Sequence, residues 1–235
     1  NGVLAQEGIF EDIWIQPAAH DAGTAVGAAF ELYHRTNQER RAKVSSVYLG
    51  PSFSSDLCDE AIKRFRLNEQ RVNYEGSIAS KAAELVAEGN VVAWFQDALE
   101  WGPRALGNRS ILADPRNGEM RNIINRRVKH REDFRPFCPS VLAEIAHEWF
   151  DFGDKAIHAA EYMLVAYPTR KEKQSLIPAV VHIDGTARIQ LVKKEVAPLY
   201  HEMISHFHRL TGVPIVLNTS FNDREPIVCT PDEAI

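Results

Sequence analysis

The chain has 235 residues, 45% of them hydrophobic and 25% charged. That composition excludes a disordered chain, a collagen-like repeat and a coiled coil, and it fits one or two globular domains. No apolar run approaches the roughly 18 residues that a membrane-crossing helix needs. The 27 Lys and Arg against 32 Asp and Glu give a net charge of −5, the wrong sign for a general nucleic-acid binder.

In chain order, Ile13–Pro17 reads as a short strand and Ala22–Arg40 as an Ala- and Gly-rich helix that runs into a polar boundary at Thr36–Lys43. Ser54 and Ser55 are placed to cap a helix carrying Leu57, Ala61, Ile62 and Phe65 on one face. A second helix spans Ser77–Glu88 and closes at Gly89. Val91–Phe95 reads as a buried strand, and Met120, Ile123, Ile124 and Val128 fall at helical spacing. Tyr162–Tyr167, Val180–Ile183 and Ile189–Val192 read as strands, the last two joined by an Asp184-Gly185 turn. Leu199, Met203, Phe207 and Leu210 line a helix ended by Gly212, and Val213–Leu217 reads as a strand. Thr230-Pro-Asp-Glu has the signals of a helix start, so the sequence is expected to be part of a longer chain. The alternation of elements predicts an α/β fold, and the hairpin argues against a purely parallel sheet.

Charge is concentrated. Between Trp101 and Arg135 nine Lys and Arg (Arg104, Arg109, Arg116, Arg121, Arg126, Arg127, Lys129, Arg131, Arg135) meet four acids, a local excess of +5 that leaves −10 for the rest. Arginine dominates, which suits bidentate recognition of phosphate or carboxylate. For Arg121, Arg126 and Arg127 the plainer reading is a salt-bridged helix face. For Arg104, Lys129, Arg131 and Arg135 an anion site is preferred, with Arg104 carried by the Gly102-Pro103 turn. The polar run Asn218-Thr219-Ser220-Phe221-Asn222 follows a strand, where α/β proteins hold ligands, or else it is a plain turn. Cys58, Cys138 and Cys229 make no disulfide framework and no metal knuckle, so a reducing, cytoplasmic location is expected. His201-Glu202…His206 has a spacing of five, which sends its two rings to different sides of a helix.

With these residues in place the chain resembles the O-carbamoyltransferases of the nodulation-factor and antibiotic-tailoring type. Five blocks carry the resemblance. They are the stretch from Ile15 to Ala29, the signature Glu100-Trp-Gly-Pro-Arg-Ala-Leu-Gly-Asn-Arg-Ser-Ile-Leu-Ala-Asp-Pro-Arg116, the run from Val128 to Val141, the run from His182 to Gln190, and Leu217–Asn222 with Glu225–Val228. The sequence departs from the family at Asp133, usually Pro, and at Asn222–Pro226, which is one residue short and lacks a Gly.

The resemblance implies an α/β fold in which a YrdC-like mixed-sheet domain (residues 71–235) follows the C-terminal tail of an actin-like, ASKHA-type domain (residues 1–35), with residues 36–70 connecting them. It implies an enzyme that makes carbamoyl-adenylate from carbamoyl phosphate and ATP with Mg²⁺, for transfer to a hydroxyl of a sugar or other small-molecule acceptor. Lys129, Arg135 and Arg188 would hold the carbamoyl and phosphate groups, with Arg104 and Arg131 in the same pocket. Ser220 and Asn222 would contact the nucleotide phosphates, with Asn218 and Thr219 alongside. Asp21 matches a metal-ligand aspartate of an iron site whose histidines would lie upstream, so iron is not expected on this chain alone. His182 reads as a satisfied structural histidine rather than a base. An exposed apolar patch is expected around Val26, Phe30 and Tyr33, and with it either a homodimer that covers the patch or high mobility of this segment; neither nucleic acid nor membrane is expected as a partner. Two other functions remain open: tRNA modification through threonylcarbamoyl-adenylate, and a non-catalytic nucleotide- or anion-binding module.

Overall fold

A computed structural model describes residues 1–37, 46–72, 74–153 and 157–235. The expected helix end at Arg40 and most of the Thr36–Lys43 boundary lie outside the described residues. The elements in order are α1 (Gly2–Glu7), α2 (Asp21–Thr36), α3 (Ser55–Arg64), α4 (Ile78–Ala87), β1 (Val92–Phe95), β2 (Arg109–Ala113), α5 (Met120–Arg127), β3 (Cys138–Leu142), α6 (Ile157–Ala160), β4 (Tyr167–Pro168), α7 (Lys171–Gln174), β5 (Thr186–Ala187), β6 (Gln190–Val192), α8 (Pro198–Thr211), β7 (Ile215–Ser220) and α9 (Pro231–Ala234). The fold is mixed α/β, as the alternation predicts.

Local chemistry explains the helix ends. The Ser54 hydroxyl accepts from Leu57 N at 3.4 Å at the start of α3. Thr230 and Glu233 form a reciprocal capping box on α9. Pro198 opens α8, and Gly212, at φ 74°, closes it in the left-handed region. In α8 the buried residues are Tyr200, Met203, Ile204 and Phe207, a stripe at helical spacing. Burying side chains of this size contributes roughly 1.5–3 kcal/mol each. Against it packs α4, whose buried face of Ala79, Ala82, Ala83 and Val86 is small enough for close approach.

The described strands form a five-stranded sheet in the order β1-β2-β7-β3-β6, together with the β4–β5 pair. Pairing is antiparallel from β1 to β3, and β3 pairs with β6 in parallel. Register fixes which side chains share a face: Cys138 lies opposite Asn218, Ser140 opposite Gln190, and Ser110 opposite Ser220. Polar residues from four strands therefore gather on one face, toward the end of β7.

Several expected strands are absent. Ile13–Pro17 is not a strand. Ile13 and Ile15 pack on the core while Trp14, 68% exposed, stacks on His158, and no described strand pairs with the run. Of Tyr162–Tyr167 only Tyr167 is in a strand, because Met163 at φ 54° interrupts any extended run. Val180–Ile183 is a turn region, curled by Gly185 N→His182 O and His182 N→Thr186 O bonds, so the hairpin with Ile189–Val192 does not form. Instead β5 pairs with β4, and β6 pairs with β3. Asn218–Ser220 continue β7 rather than forming a turn. β2 and β3 were not read as strands from the sequence. Both are buried throughout, and Arg109, Ser110 and Ser140 break their apolar pattern.

Gly107 sits at φ 107°, and a Cβ there would fall on the Tyr200 ring. Gly107→Ala is expected to destabilise the fold by about 2–4 kcal/mol, from backbone strain plus overpacking; denaturant unfolding of the variant checks this.

Candidate functional site: an arginine-lined cleft

The loop from Glu100 to Arg109 is held from both sides. Glu100 is 8% exposed, and its Oε1 accepts from the amides of Leu106 (2.7 Å), Asn108 (2.8 Å) and Arg109 (3.3 Å). The loop's carbonyls are taken by side chains: Ala105 O by Asn218 Nδ2 at 3.2 Å, and Leu106 O by Gln190 Nε2 at 2.7 Å and Tyr48 OH at 2.9 Å. Gly102, at φ 129°, makes the turn that presents Arg104.

Arg104 faces Arg131 and Arg188 across a cavity of about 120 Å³, also lined by Cys138, Asn218, Thr219 and Ser220. Arg188 donates from Nε and Nη2 to Cys138 Sγ at 3.2 and 3.1 Å. Arg131 is braced by Nε→Asn125 Oδ1 at 2.8 Å and lies 4.8 Å over the Phe137 ring. Asn125 is itself anchored, donating to the carbonyls of Asp133 and Arg135. Arg104 Nε is buried without a hydrogen-bond partner. Burial, then the charge of Arg188, push Arg104 below its ordinary pKa, and burial, then Arg135, do the same to Arg131. None of the three cleft arginines forms a salt bridge with a described residue, so the cleft is a set of crowded cations that an anion would relieve.

The other expected site residues are distributed as follows. Lys129, 6% exposed, turns to the loop after β7: Nζ bonds Ser220 O, Ser220 Oγ (3.2 Å), Asn222 O (2.8 Å) and Asn222 Oδ1 (2.7 Å). Burial, then Arg131, push Lys129 down to about 8 against the opposing charge of Asp223, while the ring of oxygens favours the ammonium. Asn222 lies behind this clasp, taking Ser220 Oγ–H on Oδ1 and donating to Glu225 O. Thr219 pairs with Ile111, so its side chain belongs to the opposite face and it borders the cleft beside Ser220. Arg135 is half exposed, pairs with Glu132 at 2.9 Å and does not line the cavity. Asp21 is exposed in the first turn of α2. Among the described residues no three His, Cys, Asp or Glu converge.

Elsewhere in the basic run Arg116 pairs with Asp114. Of the expected salt-bridged face of Arg121, Arg126 and Arg127, Arg126 pairs with Asp133, and neither Arg121 nor Arg127 forms an ion pair with a described residue. Arg109 is fully buried, donating to the carbonyls of Gln96, Asp97 and Asn108, with its guanidinium 3.6 Å over Phe95. His182 Nδ1 lies 3.0 Å from Thr186 Oγ1, and burial lowers its pKa.

Sequence reasoning did not single out the supports Glu100, Asn125, Ser140 and Gln190. Ser140 Oγ donates to Gln190 Oε1 at 2.6 Å, directly behind Asn218. The available signal was polar residues at alternate positions of strands that are otherwise buried.

The family model for the carbamoyltransferase C-terminus matches residues 83–235. The chain belongs to the carbamoyltransferase family. The corresponding N-terminal model matches residues 1–30. Nodulation protein NolNO of Sinorhizobium fredii is 46% identical over 237 residues, covering 100% of this chain and 35% of the relative. Nodulation protein NolO of Bradyrhizobium diazoefficiens is 42% identical, with 100% and 43% covered. Nodulation protein U of Rhizobium tropici is 33% identical, with 94% and 36% covered. The chain thus spans less than half the length of these curated relatives. No described helix is long and apolar enough to cross a membrane.

Because Lys129 is charged below its lowered pKa and neutral above it, the clasp on Ser220 and Asn222 should loosen as pH rises through about 8. Sulfate, whose own charge is constant there, is expected to bind this chain more weakly above that point. Lys129→Met should flatten the step; calorimetric titrations on either side of pH 8 read both.

Proposed function

We propose that this chain is the carbamoyl-activating part of a carbamoyltransferase, and that the arginine cleft takes carbamoyl phosphate and the phosphates of ATP. The observation that carries the reading is the convergence of Arg104, Arg131 and Arg188 on one cavity without a salt-bridged carboxylate. Carbamoyl phosphate and ATP are both anions, and bringing them together requires clustered cations.

The reaction proposed is carbamoyl-adenylate formation in two balanced steps. Water first cleaves carbamoyl phosphate to carbamate and phosphate. A carbamate oxygen then attacks the α-phosphorus of ATP, forming a P–O bond and expelling pyrophosphate. No protein nucleophile is needed. The arginines would hold and neutralise oxyanions, and Ser220 with the Asn222 loop, tensioned by Lys129, would position the nucleotide phosphates, which arrive as their Mg²⁺ complex. Arg135, released from Glu132, would reach ligand from the rim. Residues 1–35 would be the tail of the ASKHA-type domain that delivers the carbamoyl group to a hydroxyl of a sugar or other small acceptor, with residues 36–70 connecting it to a YrdC-like body at 71–235.

The test is ATP–pyrophosphate exchange dependent on carbamoyl phosphate. Exchange by this chain is expected, and its absence under conditions where both ligands bind would leave a non-catalytic binding module. Arg188→Ala and Arg104→Ala should each weaken carbamoyl phosphate by about ten- to a hundredfold, the loss of one charge-assisted contact. An unchanged affinity in both would remove the cleft from the reaction.

A further inference from the structure

Asn218 is the cleft residue whose chemistry is opposite to the rest. Its side chain is 1% exposed, and its Nδ2 reaches three oxygens: Ala105 O (3.2 Å), Ser140 Oγ (3.0 Å) and Gln190 Oε1 (3.1 Å). Two of these can only accept. Ala105 O is a carbonyl, and Gln190 is fixed with its oxygen toward Asn218 because its own Nε2 donates to Leu106 O. Ser140 Oγ spends its proton on Gln190 Oε1, so it too accepts from Asn218. The amide therefore has one orientation, with the nitrogen turned back into the sheet. Its Oδ1 is buried, has no hydrogen-bond partner, and belongs to a residue that lines the arginine cavity. An unpaired buried acceptor is costly, and such a group beside three arginine donors asks the ligand for a hydrogen.

We infer that Asn218 Oδ1 accepts a hydrogen bond from the NH₂ of the ligand's carbamoyl group, and that it is the residue by which the cleft selects a carbamoyl over an acyl phosphate. The inference rests on the anion-cleft reading above and adds to it. Arginines bind the oxyanions of any acyl phosphate alike, and they cannot tell NH₂ from CH₃. A buried acceptor can, because a methyl group leaves it unpaired. Gln190 and Ser140 would then be positioning residues, holding the Asn218 amide the right way round from adjacent strands.

The experiment uses three stable probes on the whole chain: sulfate, phosphonoacetamide, and acetonylphosphonate, which replaces the NH₂ of the second by CH₃. The wild-type protein is expected to bind sulfate and to prefer the amide over the methyl ketone by about ten- to a hundredfold. Asn218→Leu should abolish the preference, read as the ratio of the two phosphonate affinities, which a general loosening of the Arg104 loop leaves unchanged. Equal binding of the two phosphonates by wild-type protein that binds sulfate would overturn the inference and leave the anion cleft standing. A preference that survives in Asn218→Leu would also overturn it. No binding of any probe would remove the cleft reading and this inference together. If Asn218→Leu does not fold, the wild-type comparison of the two phosphonates decides alone.

Discussion

Glu100 places a carboxylate in the interior with no cation salt-bridged to it among the described residues. Its partners are three amides of the following loop, those of Leu106, Asn108 and Arg109, converging on one oxygen. Charge-assisted bonds of this kind are roughly twice as strong as neutral ones, and they hold backbone, which no rotamer change can release. The position of Arg104, the entry of β2 into the sheet and the approach of Gly107 to Tyr200 all follow from that one anchor. Without it the signature loop would carry several unpaired amides in the interior, and the cleft would lose one of its walls.

The sheet supplies the opposite half of the same clamp. Asn218, Gln190 and Ser140 come from three different strands, yet register brings them to one face, where they meet the loop's carbonyls. The cleft thus has a hydrogen-bonded floor, in which Asn218 Oδ1 alone of these three side chains' polar atoms is left unpaired, and a rim of cations whose mutual repulsion is left standing. Rigidity and repulsion work together here: because the floor cannot relax, the arginines cannot drift apart to lower their energy, and the site stays poised for an anion.

Much of this was legible in the sequence. The capped helices, the stripe on α8 and the +5 run are local signals, and they correspond to α3, α4, α8 and α9 and to Arg104 and Arg131. What periodicity missed was long-range. β2 and β3 contain Arg109, Ser110 and Ser140, polar residues made tolerable by partners distant in the chain, so no local pattern marks them as strands. Charge counting also could not say which oxygens Lys129 serves. It sits within a basic run, but its ammonium is spent on Ser220 and Asn222, more than 90 residues away. Arg188 lies outside the run altogether and reached the expected set only through resemblance. The strands wrongly expected at Ile13–Pro17 and Val180–Ile183 have the right composition and lack a described neighbour to pair with, and a strand without a neighbour satisfies none of its main-chain groups.

The sheet order has a consequence for how such a chain comes into being. β7 is the last of the described strands in sequence and the middle one in the sheet. Until it is synthesised, β1–β2 and β3–β6 are two separate ribbons, each with an open hydrogen-bonding edge, and such edges recruit other chains. Asn218 and Ser220 arrive with the same strand that joins the ribbons, so the ligand cavity and the finished sheet appear in a single event. An anion held in the cleft would therefore act as a seal on completed folding.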